Sequence, residues 1–331
     1  LGCESGPISA RGAARAPAKP YSAARCHMNT VANPYVPKVE GQHPAAASLD
    51  ALVQIFRARR PLVLTGAGCS TESGVPDYRG PASPRRKREP MRYLTFVGRP
   101  EARRRYWARS FTGWATFASA VPNAAHRALA MLEAGGFISG VITQNVDALH
   151  QRAGSREVIE LHGSLHRVRC LQCGALEPRD QLQERLSQAN PGWVAENAGA
   201  LRPDGDTELA DDVLDDFEVV DCLHCGGILK PHVVFFGENV PPQRTAEAWR
   251  WVQQATALVV IGSSLTVYSG LRFVKGAHTQ GIPVAIANVG PTRGDEYANL
   301  RLDGLASTVL ETVRQRLLPV VGGRDPLNHS R

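Results

Sequence analysis

Four of the seven cysteines form two Cys-x-x-Cys pairs, Cys170/Cys173 and Cys222/Cys225. Each pair can place two thiolates about 2.3 Å from a tetrahedral Zn²⁺, and two pairs complete a closed four-sulfur shell. Because no coordination position remains for water, the spacing predicts one structural zinc ion and not a catalytic one. In a chain of 331 residues, paired cysteines favour metal over a disulfide framework and therefore indicate a reducing compartment.

Glycine and polar residues follow four short apolar runs. We call these four segments, each at the end of an apolar run, the tips: Thr65-Gly66-Ala67-Gly68, Gln144-Asn145-Val146-Asp147, Gly262-Ser263-Ser264 and Asn288-Val289-Gly290. The first suits a phosphate-binding turn, because glycine lets the backbone approach an anion. It is an incomplete dinucleotide fingerprint, so an ordinary tight turn is the alternative. The third tip offers two hydroxyls for a second phosphate contact, and a helix N-cap is its alternative.

One histidine lies between the second tip and the first cysteine pair, in Glu160-Leu161-His162-Gly163. A side chain with a near-neutral pKa, placed where two lobes meet, suits a general base. A structural role is the alternative. His150, His166 and His232 compete on equal terms, because spacing alone cannot choose among them.

The sequence predicts alternating helices and strands that would position these residues. Apolar residues at helical spacing from Ser48 precede the run at 61–64, and a helix at 123–133 precedes a strand at 138–143. Further short apolar runs occupy 257–261 and 282–287. The alternation predicts an α/β fold, a Rossmann-type parallel sheet into which a small zinc-binding domain is inserted. Because such sheets bind ligands beyond the carboxyl ends of their strands, we expect the four tips to share one site.

The net charge of +7 is concentrated in one segment. Residues 79–109 hold eleven Lys/Arg against two acids, whereas residues 204–218 hold eight acids and no Lys or Arg. Because the opposite charges occupy separate loops, we expect a solvated basic loop and no nucleic-acid partner. The apolar runs are far too short to cross a bilayer, so no membrane association is expected.

The order of these strings resembles the sirtuin family, from about Leu49 to Pro319. The matching strings are Gly66-Ala67-Gly68-Cys69-Ser70, Gly74-Val75-Pro76-Asp77-Tyr78-Arg79, Thr143-Gln144-Asn145-Val146-Asp147, Leu161-His162-Gly163, the cysteine pairs, Val233-Val234-Phe235-Phe236-Gly237-Glu238, Gly262-Ser263-Ser264-Leu265 and Asn288-Val289-Gly290. The form Ser70-Thr71-Glu72-Ser73-Gly74 and the run Tyr106-Trp107-Ala108-Arg109 are most similar to the class II branch, which has bacterial and mitochondrial members. Cys69, where the family often has a branched aliphatic residue, and His232 are departures outside the expected chemistry.

The resemblance implies a role for each matching residue. NAD would be bound by Gly66, Ala67, Gly68, Ser70, Asp77, Tyr78, Arg79, Gln144, Asn145, Val146, Asp147, Gly262, Ser263, Ser264, Asn288, Val289, Gly290 and Ala306. His162 would be the catalytic base, assisted by Asn145 in the nicotinamide pocket. Val233, Val234 and Phe235 would pair with the substrate peptide as an added strand. Tyr106 and Arg109 resemble the pair with which desuccinylating class II members hold an acidic acyl tail.

The implied domains are a disordered tail at 1–42, an NAD-binding domain at 43–164 and 226–320, a zinc module at 165–225 and a second tail at 321–331. The implied activity is NAD-dependent deacylation of protein lysines: the acyl group passes to ADP-ribose, nicotinamide is released, and His162 draws a proton through the ribose hydroxyls. Mono-ADP-ribosyl transfer, or removal of lipoyl-like or acidic acyl groups, would use the same site. A zinc-ribbon module that binds nucleic acid is the alternative outside enzymes, and the NAD strings count against it.

The compartment is expected to be a bacterial cytoplasm. Arginine outnumbers lysine 33 to 5, which is typical of a GC-rich genome. The mitochondrial matrix is the alternative, because the start of the chain is rich in Arg and Ser and poor in acids, like a transit peptide.

Overall fold

The computed structural model describes residues 44–77, 90–193, 205, 207, 209, 214 and 216–318. The predicted tails at 1–42 and 321–331 and most of the acidic run lie outside these residues. The helices are α1 (Ala46–Arg59), α2 (Tyr93–Gly98), α3 (Pro100–Ser119), α4 (Ala124–Ala134), α5 (Leu149–Arg152), α6 (Arg179–Ala189), α7 (Pro242–Gln254), α8 (Tyr268–Thr279) and α9 (Ala306–Leu317). The strands are β1 (Leu62–Thr65), β2 (Gly140–Thr143), β3 (Val158–Glu160), β4 (Gly163–Cys170), β5 (Leu176–Pro178), β6 (Leu229–Val233), β7 (Leu258–Ile261), β8 (Val284–Asn288) and β9 (Leu300–Asp303).

Six parallel strands form the large sheet, in the order β3-β2-β1-β7-β8-β9. Val63 on β1 lies opposite Val141 on β2 and Val259 on β7. The central strands are buried on both faces, which is why they are continuous apolar runs without alternation. The parallel sheet predicted from the sequence is confirmed.

Helices cover both faces of this sheet. Val63 packs into a core with α1, α4 and α9, whereas its neighbours Leu62 and Leu64 pack into a separate core with α7 and α8. After β1 the chain builds β2 and β3 on one side and β7, β8 and β9 on the other. The change of direction between β1 and β7 opens a crevice at the carboxyl ends of the strands, where α/β sheets bind ligands.

The second sheet is antiparallel, in the order β5-β4-β6, and carries the cysteine pairs at one end. Its core is shared with α2, α3 and α6 and contains Trp107, Trp114 and Phe117 of α3. The elements α2, α3 and β6, which lie outside 165–225, contribute Phe96, Trp107 and Leu229 to this core. Among the described helices, none is long and apolar enough to span a membrane.

Candidate active site

One cavity of about 890 Å³ lies beyond the carboxyl ends of β1, β2, β7 and β8. All four predicted tips reach it, so the structure brings together the polar residues that the sequence placed at one edge. Twenty of the predicted site residues line it: Gly66, Ala67, Gly68, Ser70, Asp77, Gln144, Asn145, Val146, Asp147, His162, Val233, Val234, Phe235, Gly262, Ser263, Ser264, Asn288, Val289, Gly290 and Ala306. Tyr78 and Arg79 lie outside the described residues.

The two glycine tips approach each other too closely for side chains. The N–H of Gly68 donates to the carbonyl of Gly262 at 2.9 Å. A Cβ on Gly66 would lie 2.6 Å from Cβ of Ser263, and a Cβ on Gly262 would lie 2.6 Å from the backbone nitrogen of Cys69. Gly262 also has a left-handed φ of 61°. Two backbone turns held this closely, with their surface open to the cavity, fit the pyrophosphate of a dinucleotide.

A buried network ties the β2 tip to the first turn. Ser70 donates to Asp147 at 2.7 Å, and Asn145 donates to the Ser70 hydroxyl at 2.9 Å and to the Gly66 carbonyl at 3.1 Å. Burial raises the pKa of Asp147, while hydrogen bonds from the Leu149 N–H and Ser70 oppose that shift. The network gives these side chains fixed positions before any ligand arrives, since each is held by at least two partners.

His162 is held at both ring nitrogens. Nδ1 lies 2.8 Å from the carbonyl oxygen of Gln144, and Nε2 lies 2.7 Å from Oγ of Ser269. A carbonyl oxygen only accepts, so Nδ1 carries the proton and Nε2 keeps a lone pair. Burial lowers the pKa of His162, and Arg244 and Arg272 lower it further against the bond to Gln144. The ring is therefore neutral at pH 7, the state that a general base requires.

The structure distinguishes His162 from the other three candidate histidines, His150, His166 and His232. His162 lines the cavity, and the other three histidines do not. His150 is buried behind β1, where Nε2 lies 2.9 Å from Oγ1 of Thr65, and Nε2 of His166 lies 3.2 Å from the carbonyl of Asp147. His232 lies on β6. Position in the cavity, which the sequence could not supply, favours His162 as the base.

The expected peptide-binding segment is anchored by contacts within the chain. Val234 N–H donates to the His162 carbonyl at 2.8 Å, and Phe235 N–H donates to Oε2 of Glu238 at 2.8 Å. The same carboxylate oxygen lies 2.9 Å from Nζ of Lys230, which is 4% exposed. Since these two N–H groups are already engaged, a paired peptide would use other backbone groups of this edge. Glu238 and Lys230 were not predicted, although Glu238 closes the Val233–Glu238 string.

Tyr106 and Arg109 lie behind the cavity wall. The Tyr106 ring packs against Phe96 and Phe235, with ring centroids 5.4 and 5.3 Å apart. Both side chains are buried on α3, and neither is among the described residues that line the cavity. Tyr106 contacts Phe235, which does line the cavity.

The four paired cysteines converge at the end of the small sheet. Sγ of Cys170 lies 3.5 Å from that of Cys225, and Sγ of Cys173 lies 3.7 Å from that of Cys222. All four sulfurs lie within 4.8 Å of one another. A tetrahedral zinc with bonds of 2.3 Å requires sulfurs about 3.8 Å apart, so the cluster fits zinc closely. It also lies outside the cavity, as expected of a structural metal.

Fold and site together define an α/β protein whose crevice suits a dinucleotide and is lined by a neutral histidine. The Sir2 family model matches residues 66–269. An NAD-dependent protein deacetylase of Streptomyces coelicolor is 53% identical over 274 residues, which cover 83% of this chain and 91% of that protein. The mitochondrial NAD-dependent protein lipoamidase sirtuin-4 of Bos taurus is 48% identical, over 79% of this chain and 84% of that protein. The solved complex of Sir2 with p53 peptide and NAD⁺ has a TM-score of 0.65 and 31% identity, over 81% of this chain and 98% of that one.

The chain belongs to the Sir2 family.

Proposed function

We propose that this protein is an NAD-dependent protein-lysine deacetylase that transfers the acyl group of a modified lysine to ADP-ribose and releases nicotinamide. The observation that carries the proposal is the position of His162. A neutral histidine lines one cavity between the glycine tips, which suit a pyrophosphate, and the Val233–Phe235 edge, which suits a peptide. Relatives named as NAD-dependent protein deacetylases support the same reaction.

NAD supplies the anomeric carbon that the acyl oxygen attacks and nicotinamide as the leaving group. The residues of the protein bind NAD and orient it toward the acyl group. The glycine tips leave backbone N–H groups for the phosphates, and the network of Ser70, Asn145 and Asp147 fixes the wall beside the ribose. Gln144 also crosses the crevice, because its side chain donates to Oγ of Ser263 on the β7 tip at 2.8 Å.

His162 supplies the proton acceptor. Its Nε2 lone pair is the basic site, since Nδ1 is occupied by the Gln144 carbonyl. Removal of a proton from a ribose hydroxyl makes that oxygen a nucleophile toward the acyl carbon, and the ring becomes positively charged. Because burial, Arg244 and Arg272 all disfavour that charge, the protonated ring gives the proton up readily.

The partner is an acylated lysine within a protein substrate, and the compartment we propose is a bacterial cytoplasm. The thiolates of a zinc cluster require reducing conditions, and the relatives include proteins from Streptomyces, Mycobacterium and Xanthomonas. The mitochondrial matrix remains the second location, with the bovine relative in its favour.

The test is nicotinamide release from NAD with a panel of acyl-lysine peptides, comparing the wild-type protein with His162→Ala. We expect release with acetyl-lysine, and a loss of about 10²- to 10⁴-fold in deacylation for the variant, the range for a lost general base. His278→Ala, which changes an exposed histidine at the end of α8, is the matched control and should keep wild-type turnover. Wild-type deacylation by a folded His162→Ala protein would remove His162 from its role.

A further inference from the structure

Ser269 contacts the ring nitrogen of His162 that must accept the proton in the proposed reaction. The distance from Oγ of Ser269 to Nε2 of His162 is 2.7 Å, the length of a strong hydrogen bond. Because Nδ1 already donates to Gln144, the serine O–H is the donor and Nε2 the acceptor. The lone pair that should take a proton from the substrate is thus aimed at a hydroxyl before any substrate is present.

The fold brings this serine to the base by a close approach of two elements. Ser269 lies in the first turn of α8 and lines the cavity, and Gly270 follows it. A Cβ on Gly270 would lie 2.4 Å from Oε1 of Gln144, so a larger residue there would displace the Gln144 side chain, which donates to Ser263. Gln144 and Ser269 therefore hold the two sides of the His162 ring from two different elements.

We propose that Ser269 is a positioning residue for this reaction: its hydroxyl holds Nε2 of His162 toward the cavity and yields that place to a ribose hydroxyl when NAD binds. The inference rests on the proposed function, since it assigns a role in that same site. The exchange is of one hydrogen bond for another, with no net proton transfer. Tyr268, which precedes Ser269, is 62% exposed, so this part of the wall is open to an incoming ligand.

Loss of the hydroxyl should change the acidity of the base. A donor to Nε2 stabilises the neutral ring, so its removal makes the ring easier to protonate. A hydrogen bond of ordinary strength corresponds to a change of about 0.4 to 1 pH unit. The charged groups that act on His162 are Arg244 on α7 and Arg272 on α8, and both remain in the variant.

The experiment compares Ser269→Ala with Ser269→Thr in the full chain. The pH profile of kcat/KM for deacetylation is measured for each, together with exchange of labelled nicotinamide into NAD, which reports the step before His162 acts. For Ser269→Ala we expect the acidic limb to move up by about 0.4 to 1 pH unit, deacetylation at pH values on that limb to fall about three- to tenfold, and exchange to stay within about twofold. Ser269→Thr, which keeps the hydroxyl, should restore the wild-type limb.

Two outcomes would overturn the inference: an unmoved acidic limb in Ser269→Ala, or equal losses of exchange and deacetylation, which would mean that the residue only supports α8. Ser269→Cys, which keeps the size and has a weak donor, gives the same comparison if the alanine variant does not fold, and an unmoved limb there also refutes the role. If the wild-type protein releases no nicotinamide, the proposed function itself fails, which is a different result from an unchanged Ser269→Ala profile.

Discussion

Mild acid should destabilise this protein through a histidine buried behind β1. His150 on α5 is 1% exposed, and its Nε2 lies 2.9 Å from Oγ1 of Thr65. Burial lowers the pKa of His150 from its usual 6.5 to about 4. The ring of His126 lies 4.8 Å away between centroids, and its pKa is also well below the usual value because of burial, His150 and Arg127. Both rings are therefore neutral in the folded protein at pH 6.

The size of the effect follows from the two pKa values of His150. Between pH 6.5 and about pH 4 the unfolded chain binds a proton that the folded protein does not bind. Because the pKa of His150 is lower in the folded protein than in the unfolded chain, the contribution of this residue to the free energy of unfolding is fully kept above pH 6.5. That contribution decreases as the pH falls through this window. Integrating from pH 7 to pH 5 gives a loss of about 2 kcal/mol in the free energy of unfolding from this residue alone.

The assay is urea unfolding at pH 7 and pH 5 of the wild-type protein and His150→Gln. The variant removes the titrating ring, so it should be less stable at pH 7 but lose about 2 kcal/mol less than the wild type between the two pH values. Zinc thiolates and carboxylates titrate in both proteins and cancel in the difference. An equal loss in the two proteins would refute the reasoning, because the buried ring would then carry none of the acid sensitivity.

Three further substitutions test the site and its frame. Cys170→Ser should lower zinc content measured by atomic absorption and reduce stability, whereas Cys69→Ala, outside the cluster, should keep the metal; full zinc in Cys170→Ser would contradict the assignment. Gly262→Ala should raise the KM for NAD and cost at least about 1 kcal/mol of stability. Gly281→Ala has a similar φ of 70° with nothing within 4 Å, so it should share the strain and leave that KM unchanged. Arg109 is buried on α3 and is not among the described residues that line the cavity, so Arg109→Met should lower turnover of acetyl- and succinyl-lysine peptides alike; a loss confined to succinyl- and glutaryl-lysine would show instead that Arg109 contacts the acyl group.

Most of the large sheet was predictable because its strands are buried on both faces. The run predicted at 61–64 is the strand Leu62–Thr65, and that predicted at 282–287 is Val284–Asn288. The strands Val158–Glu160 and Leu300–Asp303 were missed. They lie at the two edges of the sheet, are three and four residues long, and mix buried with partly exposed positions, so neither forms a distinct apolar run.

The site was predictable to the extent that parallel strands align their ends. The tips at Gly66, Gln144 and Gly262 had to meet once their strands were parallel neighbours. The choice of His162 over His150 was different, because both are histidines near a strand end and only the path of the chain decides which one faces the cavity. Ser269 had no signal of its own: its contact depends on how closely α8 approaches Gln144, a tertiary distance that no local pattern encodes.

The zinc cluster and the base are joined by the same two strands. His162 immediately precedes β4, and Cys170 ends it, so the strand spans about 25 Å between base and metal. On β6, Leu229 lies opposite Cys170, and Val233 lies opposite Gly163 beside the base. The register shifts between these two pairs, so the strands are held separately at each end: by the cysteine cluster at one end, and by the bond from Val234 N–H to the His162 carbonyl at the other. A zinc ion at the cysteines would hold that end of both strands, and we expect its removal to loosen the pair and to lower turnover even where NAD still binds.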